Sequence, residues 1–184
     1  MNKKFATITL GILAFVATAA VAAPKNPMVG GQEMYPTKNI IENAVNSADH
    51  TTLVAAVKAA GLVDTLEGPG PFTVFAPTNE AFAKLPAGTV DNLLKPENKD
   101  TLVKILTYHV VAGKVTAADL KKMIKDGNGQ ATLKTVSGGT LTAMIQGKNI
   151  VLKDDKGDIS TVTIPNVMQS NGVIHVVDTV LLPN

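Results

Sequence analysis

The sequence predicts an α+β domain, and three features carry that reading. Apolar residues recur at helical spacing through most of the chain up to the Asp126-Gly127-Asn128-Gly129 cluster. After it the apolar period switches to two and stays there, with glycine-bearing turns between short runs. The 184-residue chain has no cysteine, so an ordinary hydrophobic core, and no disulfide framework, must hold it together. Helices first and strands afterwards describe helices packed on an antiparallel sheet.

Met1-Asn2-Lys3-Lys4 precedes an apolar and small-residue run over residues 5–21, and Ala20-Val21-Ala22 then meets Ala23-Pro24. A basic start, an apolar middle and a small-x-small site predict a signal peptide over residues 1–22, cut after Ala22. Its strongly apolar part is shorter than the roughly 20 residues of a spanning helix. The expectation is an exported protein, periplasmic or extracellular, with no membrane insertion after signal removal. Residues 23–36 mix Pro, Gly, Asn and Gln without apolar periodicity and read as a flexible lead-in to a domain over 37–184. Losing Lys3 and Lys4 leaves 15 of the 17 lysines against 15 Asp plus Glu, a neutral balance. Arginine and tryptophan are absent, which removes the best phosphate fork and the best stacking platform and argues against nucleic acid as a partner.

Each element has a local reason. Ile40, Ile41, Ala44 and Val45 form one helical stripe. Thr51 or Thr52 can cap a second helix that buries Leu53, Val54, Val57 and Ala60 and stops at Gly61. Gly68-Pro69-Gly70-Pro71 breaks the chain, and the β-rich run Phe72-Thr73-Val74-Phe75-Ala76 closes at Pro77. Thr78 or Asn79 caps a short helix with Ala81, Phe82 and Leu85, ended by Pro86, and Leu93-Leu94 belongs to another short turn or helix. The most regular helix is expected over 97–110, with Leu102, Ile105, Leu106, His109 and Val110 on one face and Gly113 as its stop. Thr116-Ala117-Ala118-Asp119 has the form of a capping box opening a further short helix, with Val115 placed to staple against Leu120. Strands are expected at 131–136, 140–145, 149–153, 159–164 and 173–182. Ser137-Gly138-Gly139, Gly147-Lys148, Asp155-Lys156-Gly157 and Asn171-Gly172 supply the turns between them.

Chemistry-bearing residues are few. His50 lies in a loop ahead of a helix and reads as solvated. His109 on its apolar stripe, and His175 inside Val173-Ile174-His175-Val176-Val177, read as core histidines satisfied by hydrogen bonds. No Ser sits in a Gly-x-Ser-x-Gly elbow and no His pair has the spacing of a helical zinc site. Asp154-Asp155-Lys156-Gly157-Asp158 lacks the closing Glu of a calcium loop and reads as a charged hairpin tip. The glycine clusters have no phosphate-binding spacing. The sequence therefore points to a non-enzymatic protein with no cofactor or metal.

Three segments together resemble the fasciclin domain family. Gly70-Pro71-Phe72-Thr73-Val74-Phe75-Ala76-Pro77-Thr78-Asn79-Glu80-Ala81-Phe82-Ala83-Lys84-Leu85 is similar to that family's first signature block. Leu106-Thr107-Tyr108-His109-Val110-Val111 resembles its Tyr-His block, and Asn171-Gly172-Val173-Ile174-His175-Val176-Val177-Asp178 its closing block. Thr73, Phe75, Pro77, Thr78, Asn79, Phe82, His109, Asn171, Gly172 and His175 are thus the expected motif residues. The resemblance covers about residues 37–184 and implies an antiparallel β-wedge flanked by several short helices. It also implies a binding role in cell adhesion or contact with a protein, matrix or polysaccharide partner. In animal members the Tyr-His segment and an Asp-Ile dipeptide are associated with integrin recognition. Tyr108 and His109 match, while Asn166-Val167 stands in place of Asp-Ile. Tyr108, His109, Asn166 and Val167 are the contact positions the resemblance implies, without the carboxylate that would ligate a receptor-bound metal ion. A different class of function, a periplasmic carrier of a small apolar or sugar-like ligand held between helices and sheet, also suits the 45% apolar composition.

Overall fold

A computed structural model describes residues 26–184. The signal reading of residues 1–22 lies outside the described residues, as do residues 23–25 of the lead-in. The rest of that lead-in is folded. Strands β1 (Met28–Val29) and β2 (Gln32–Glu33) pair as a hairpin, and Val29 and Met34 are buried in the core. The expected flexible segment is corrected accordingly. Its apolar pairs Met28-Val29 and Met34-Tyr35 show no period to read, yet one residue of each points inward.

The helices are α1 (Ile40–Ala44), α2 (Thr51–Ala60), α3 (Val63–Glu67), α4 (Asn79–Ala83), α5 (Thr89–Leu93), α6 (Lys99–Tyr108) and α7 (Ala117–Asp126). Asn39 with Glu42, and Thr116 with Asp119, complete capping boxes on α1 and α7. Gly61 ends α2 in the left-handed region at φ 71°. The helix expected over 97–110 is shorter. Pro96–Asn98 is a 3-10 turn, His109 is the C-cap of α6, and Val110 has already joined a strand.

The remaining strands are β3 (Phe72–Pro77), β4 (Val110–Ala112), β5 (Gln130–Lys134), β6 (Thr140–Gln146), β7 (Asn149–Lys153), β8 (Ile159–Gln169) and β9 (Gly172–Val177). They form one seven-stranded sheet in the order β4-β3-β9-β8-β7-β6-β5. All pairings are antiparallel except β3 with β9, which run parallel in register from Phe72↔Gly172 to Pro77↔Val177. A bridge between Val111 and Thr135, and a 2.8 Å bond from the Val136 amide to the Val110 carbonyl, bring the two edges together, so the wedge is nearly a closed barrel. The expected strand 159–164 is eleven residues long. Two register shifts, between Val162, Ile164 and Val167, bend it around Pro165-Asn166.

The central β3–β9 pair is buried on both faces. Val74, Ala76, Ile174 and Val176 meet the helices α1, α2, α4 and α6 in one apolar cluster, with Leu53, Val57, Phe82, Leu102 and Leu106. Phe75 and Val177 face a second cluster inside the wedge, with Leu133, Leu141, Leu152, Val162 and Leu181, sealed by Leu120 and Ile124 of α7. Two-sided burial is why these strands read as near-continuous apolar runs. β9 stops at Val177, short of the expected 182, because the following backbone pairs with side chains. The amides of Thr179, Leu181 and Leu182 donate to Ser160 Oγ, His109 Nε2 and Asp154 Oδ2 at 3.2, 3.0 and 2.9 Å.

Candidate functional site

The three signature segments converge on the β3–β9 seam, and their polar side chains bond the protein to itself. Thr73 Oγ1 donates to the Gly113 carbonyl at 2.7 Å and accepts from the Val115 amide at 2.8 Å, fastening the loop that enters α7 to β3. Phe75 stacks on His175 with ring centroids 5.6 Å apart, while its amide donates to the His109 carbonyl at 2.9 Å. Pro77 closes the parallel register opposite Val177. Thr78 caps α4 through the Ala81 amide, which places Phe82 in the helix-side core. Asn79 Oδ1 accepts from the Thr52 amide at 3.0 Å and its Nδ2 donates to the Ala48 carbonyl at 2.9 Å. The start of α2, which has no side-chain cap of its own, is thereby capped from another segment.

Asn171 joins three separate segments. Its Oδ1 accepts from the Ile40 amide at 3.0 Å, and its Nδ2 donates to the carbonyls of Leu66 and Gly68 at 2.7 and 2.9 Å. Gly172 follows because a Cβ there would lie 2.1 Å from the Phe72 carbonyl oxygen. No other residue permits the strands to approach so closely.

The expected contact residues lie inside the fold. Tyr108 is 0% exposed, His109 2% and Val167 1%, so none offers its side chain to a surface partner, which corrects their reading as direct contacts. Tyr108 completes the wedge. Its hydroxyl donates to the Thr140 carbonyl at 2.6 Å and accepts from the Asp155 amide at 2.9 Å, and burial pushes its pKa up to about 12. His109 accepts from the Leu181 amide at Nε2, so the proton sits on Nδ1, which meets the Ile105 carbonyl at 2.9 Å. Burial lowers its pKa to about 4, and the ring is neutral at neutral pH. Asn166 is half-buried with φ 59°. Its Oδ1 accepts from the Ala117 amide at 2.8 Å, and its own amide donates to His175 Nδ1 at 3.3 Å. His175 then donates from Nε2 to the Val115 carbonyl at 2.9 Å, and burial lowers its pKa too.

Two interior groups escaped the sequence reading. His50, expected to be solvated, is buried between Ser47 Oγ at 2.8 Å and the Ala76 carbonyl at 3.4 Å, and burial lowers its pKa. The cause is tertiary, since β3 passes over the loop. Asp154, at the expected charged tip, is a buried acceptor for three backbone amides: Lys156 and Asp158 at Oδ1 and Leu182 at Oδ2. An Asp two residues ahead of Lys156-Gly157 is a local Asx-turn signal for the first of these, and nothing in the sequence announces the third.

Among the described residues no buried side-chain polar atom lacks a partner, and no three His, Asp or Glu side chains cluster to share a metal ion. Between α1, α2, α3 and the β3–β9 pair lies a cavity of about 70 Å³ with an almost wholly apolar wall. His50 and His109 border it with their ring nitrogens already engaged.

A helix-flanked wedge tied together at a parallel seam by its own motif side chains defines the class: a domain of the fasciclin type. The chain belongs to that family, since the fasciclin domain model matches residues 48–183. It is 51% identical over 144 residues to Protein sll1483 of Synechocystis sp., covering 78% of this chain and 73% of that protein. It is 38% identical to Immunogenic protein MPB70 of Mycobacterium bovis, covering 91% of this chain and 79% of that one. It is 35% identical to Cell surface glycolipoprotein MPB83 of the same species, covering 91% and 78%. The fold matches the solved FAS1 domain pair of the insect cell adhesion molecule fasciclin I with a TM-score of 0.70 at 21% identity. That match covers 79% of this chain and about half, 51%, of the two-domain chain.

Proposed function

We propose that this chain is an exported, non-enzymatic binding module that makes adhesive or scaffolding contacts with a protein or matrix polysaccharide at the bacterial cell surface. One observation carries the reading. Tyr108, His109 and His175 at the seam are engaged by internal hydrogen bonds and held neutral, so the seam is a scaffold rather than a reaction centre. Support for the location comes from the leader-like residues 1–22 and from a relative named for the cell surface. No helix among the described residues is long and apolar enough to cross a membrane.

Tyr108, His109, Asn166 and Val167 serve the contact surface from beneath. Tyr108 fixes the 154–158 tip at Asp155, and Asn166 fixes the start of α7. The test is a pull-down from envelope and matrix extracts with the folded protein and a heat-unfolded control. A partner retained only by the folded protein is expected, and equal retention by both samples would sink the proposal.

A second reading, a carrier of a small apolar molecule, is favoured by the apolar cavity between helices and sheet. Native mass spectrometry of protein purified from its host tests it, with a retained small molecule as the expected result.

A further inference from the structure

The outer wall of the cavity is built by a segment upstream of the family match, which begins at residue 48. Val29 and Met34, on either side of the β1–β2 turn, line it. This hairpin has two residues per strand and forms a sheet of its own, apart from the seven-stranded one. A two-stranded hairpin of that length has little stability by itself. Backbone contacts hold it to the domain at two places. The Ala48 amide donates to the Gly30 carbonyl at 3.3 Å, and the Tyr35 main chain is paired with the Asn43 side chain.

The cavity exceeds the roughly 10–15 Å³ that one water requires, yet its wall is apolar and no buried side-chain polar atom among the described residues is left to bind one. So apolar a wall would leave most hydroxyls of a sugar unpaired. One exposed large apolar side chain stands at the cavity's border. Val136 lines the cavity while remaining exposed.

We propose that the cavity is a binding site for an uncharged alkyl-chain molecule, which enters by displacing residues 27–35 as a strap. Val29 and Met34 occupy the outer part of the site in the free protein, and the incoming chain takes their place against Ile41, Leu53, Val57 and Ile174. This rests on the carrier reading and adds to it a ligand class, from which sugars are excluded, and an entry route.

The test uses the uncharged dye N-phenyl-1-naphthylamine, which is larger than the closed cavity and fluoresces when removed from water. Saturable binding by the purified protein is expected. Val54→Phe, which fills the cavity from α2, abolishes it. Val29→Ser combined with Met34→Ser tightens it about tenfold, as expected if the strap is open about a tenth of the time. Melting curves confirm that each variant is folded. Hydrogen exchange on the unmodified protein gives an independent readout: amides at 28–35 exchange faster with dye bound, while those of α6 do not change. Binding that survives Val54→Phe, or no binding even by the double variant, overturns the site and with it the carrier reading. Binding with unchanged exchange at 28–35 overturns the strap alone and leaves the carrier reading standing.

Discussion

Replacing His109 with alanine separates an anchor from a contact residue. The imidazole joins the end of α6 to the segment after β9, through Ile105 and Leu181. Its loss strands the amide of Leu181, a fully buried residue, at a cost of about 1–3 kcal/mol. The void left by the ring adds to this, and the total is about 4 kcal/mol. Domains of this kind are stable by about 5–15 kcal/mol, so the variant folds but is weakened. At about 2–4 °C per kcal/mol, the melting temperature falls by about 10 °C. Thermal melts followed by circular dichroism measure the fall, and partner binding is compared well below both midpoints. Binding should survive there, because a residue 2% exposed touches no partner. A loss of binding in folded protein, or a fall of under about 3 °C, would refute the anchor assignment.

Acid should weaken the protein in a defined window. His109 titrates at about 4 when folded and at 6.5 otherwise, so between these values the unfolded chain binds the proton more readily. Stability is therefore lost as pH falls from 6.5 through about 4, by about 3 kcal/mol from this residue, with His50 and His175 acting in the same direction. Urea midpoints that do not change between neutral pH and pH about 4 would contradict the neutral-ring assignment. Gly172→Ala drives a Cβ against the Phe72 carbonyl and should cost about 3 kcal/mol or more, seen as a lowered urea midpoint or loss of soluble protein. Tyr108→Phe leaves the Thr140 carbonyl and the Asp155 amide without their shared hydroxyl, at about 1–3 kcal/mol. Its local mark is faster exchange at Asp155, and unchanged exchange there would speak against the bond.

What the sequence disclosed depended on the range of the interaction. Thr116 with Asp119, Thr78 and Gly61 act within a turn of their own helices, and their roles were legible. The inward placement of His109 followed from apolar periodicity, and that of His175 from its place inside an apolar β run. The parallel pairing of β3 with β9 did not, because its partners stand about a hundred residues apart and both strands look alike whichever way they run. His50 was misread because its burial is imposed by Ala76, and the lead-in because Met28-Val29 and Met34-Tyr35 show no period. In the site, residue types were legible from the family motifs. Their partners were not, since Asn171 reaches Ile40, Leu66 and Gly68, and Asn79 reaches Ala48 and Thr52.

The place of β9 in the sheet bears on how the protein is made. The strand latest in sequence lies between β3 and β8 and makes up half of the parallel seam. Until residues 172–177 arrive, β3 has only the three residues of β4 beside it, and neither apolar cluster can close. Pairing over such separations is slow, because loop closure must precede the contacts that reward it. A chain emerging from a ribosome, or threading a translocation pore amino end first, thus stays open almost to its last residues. The order of elements delays folding until nearly the whole domain has been made, a property that suits the export proposed above.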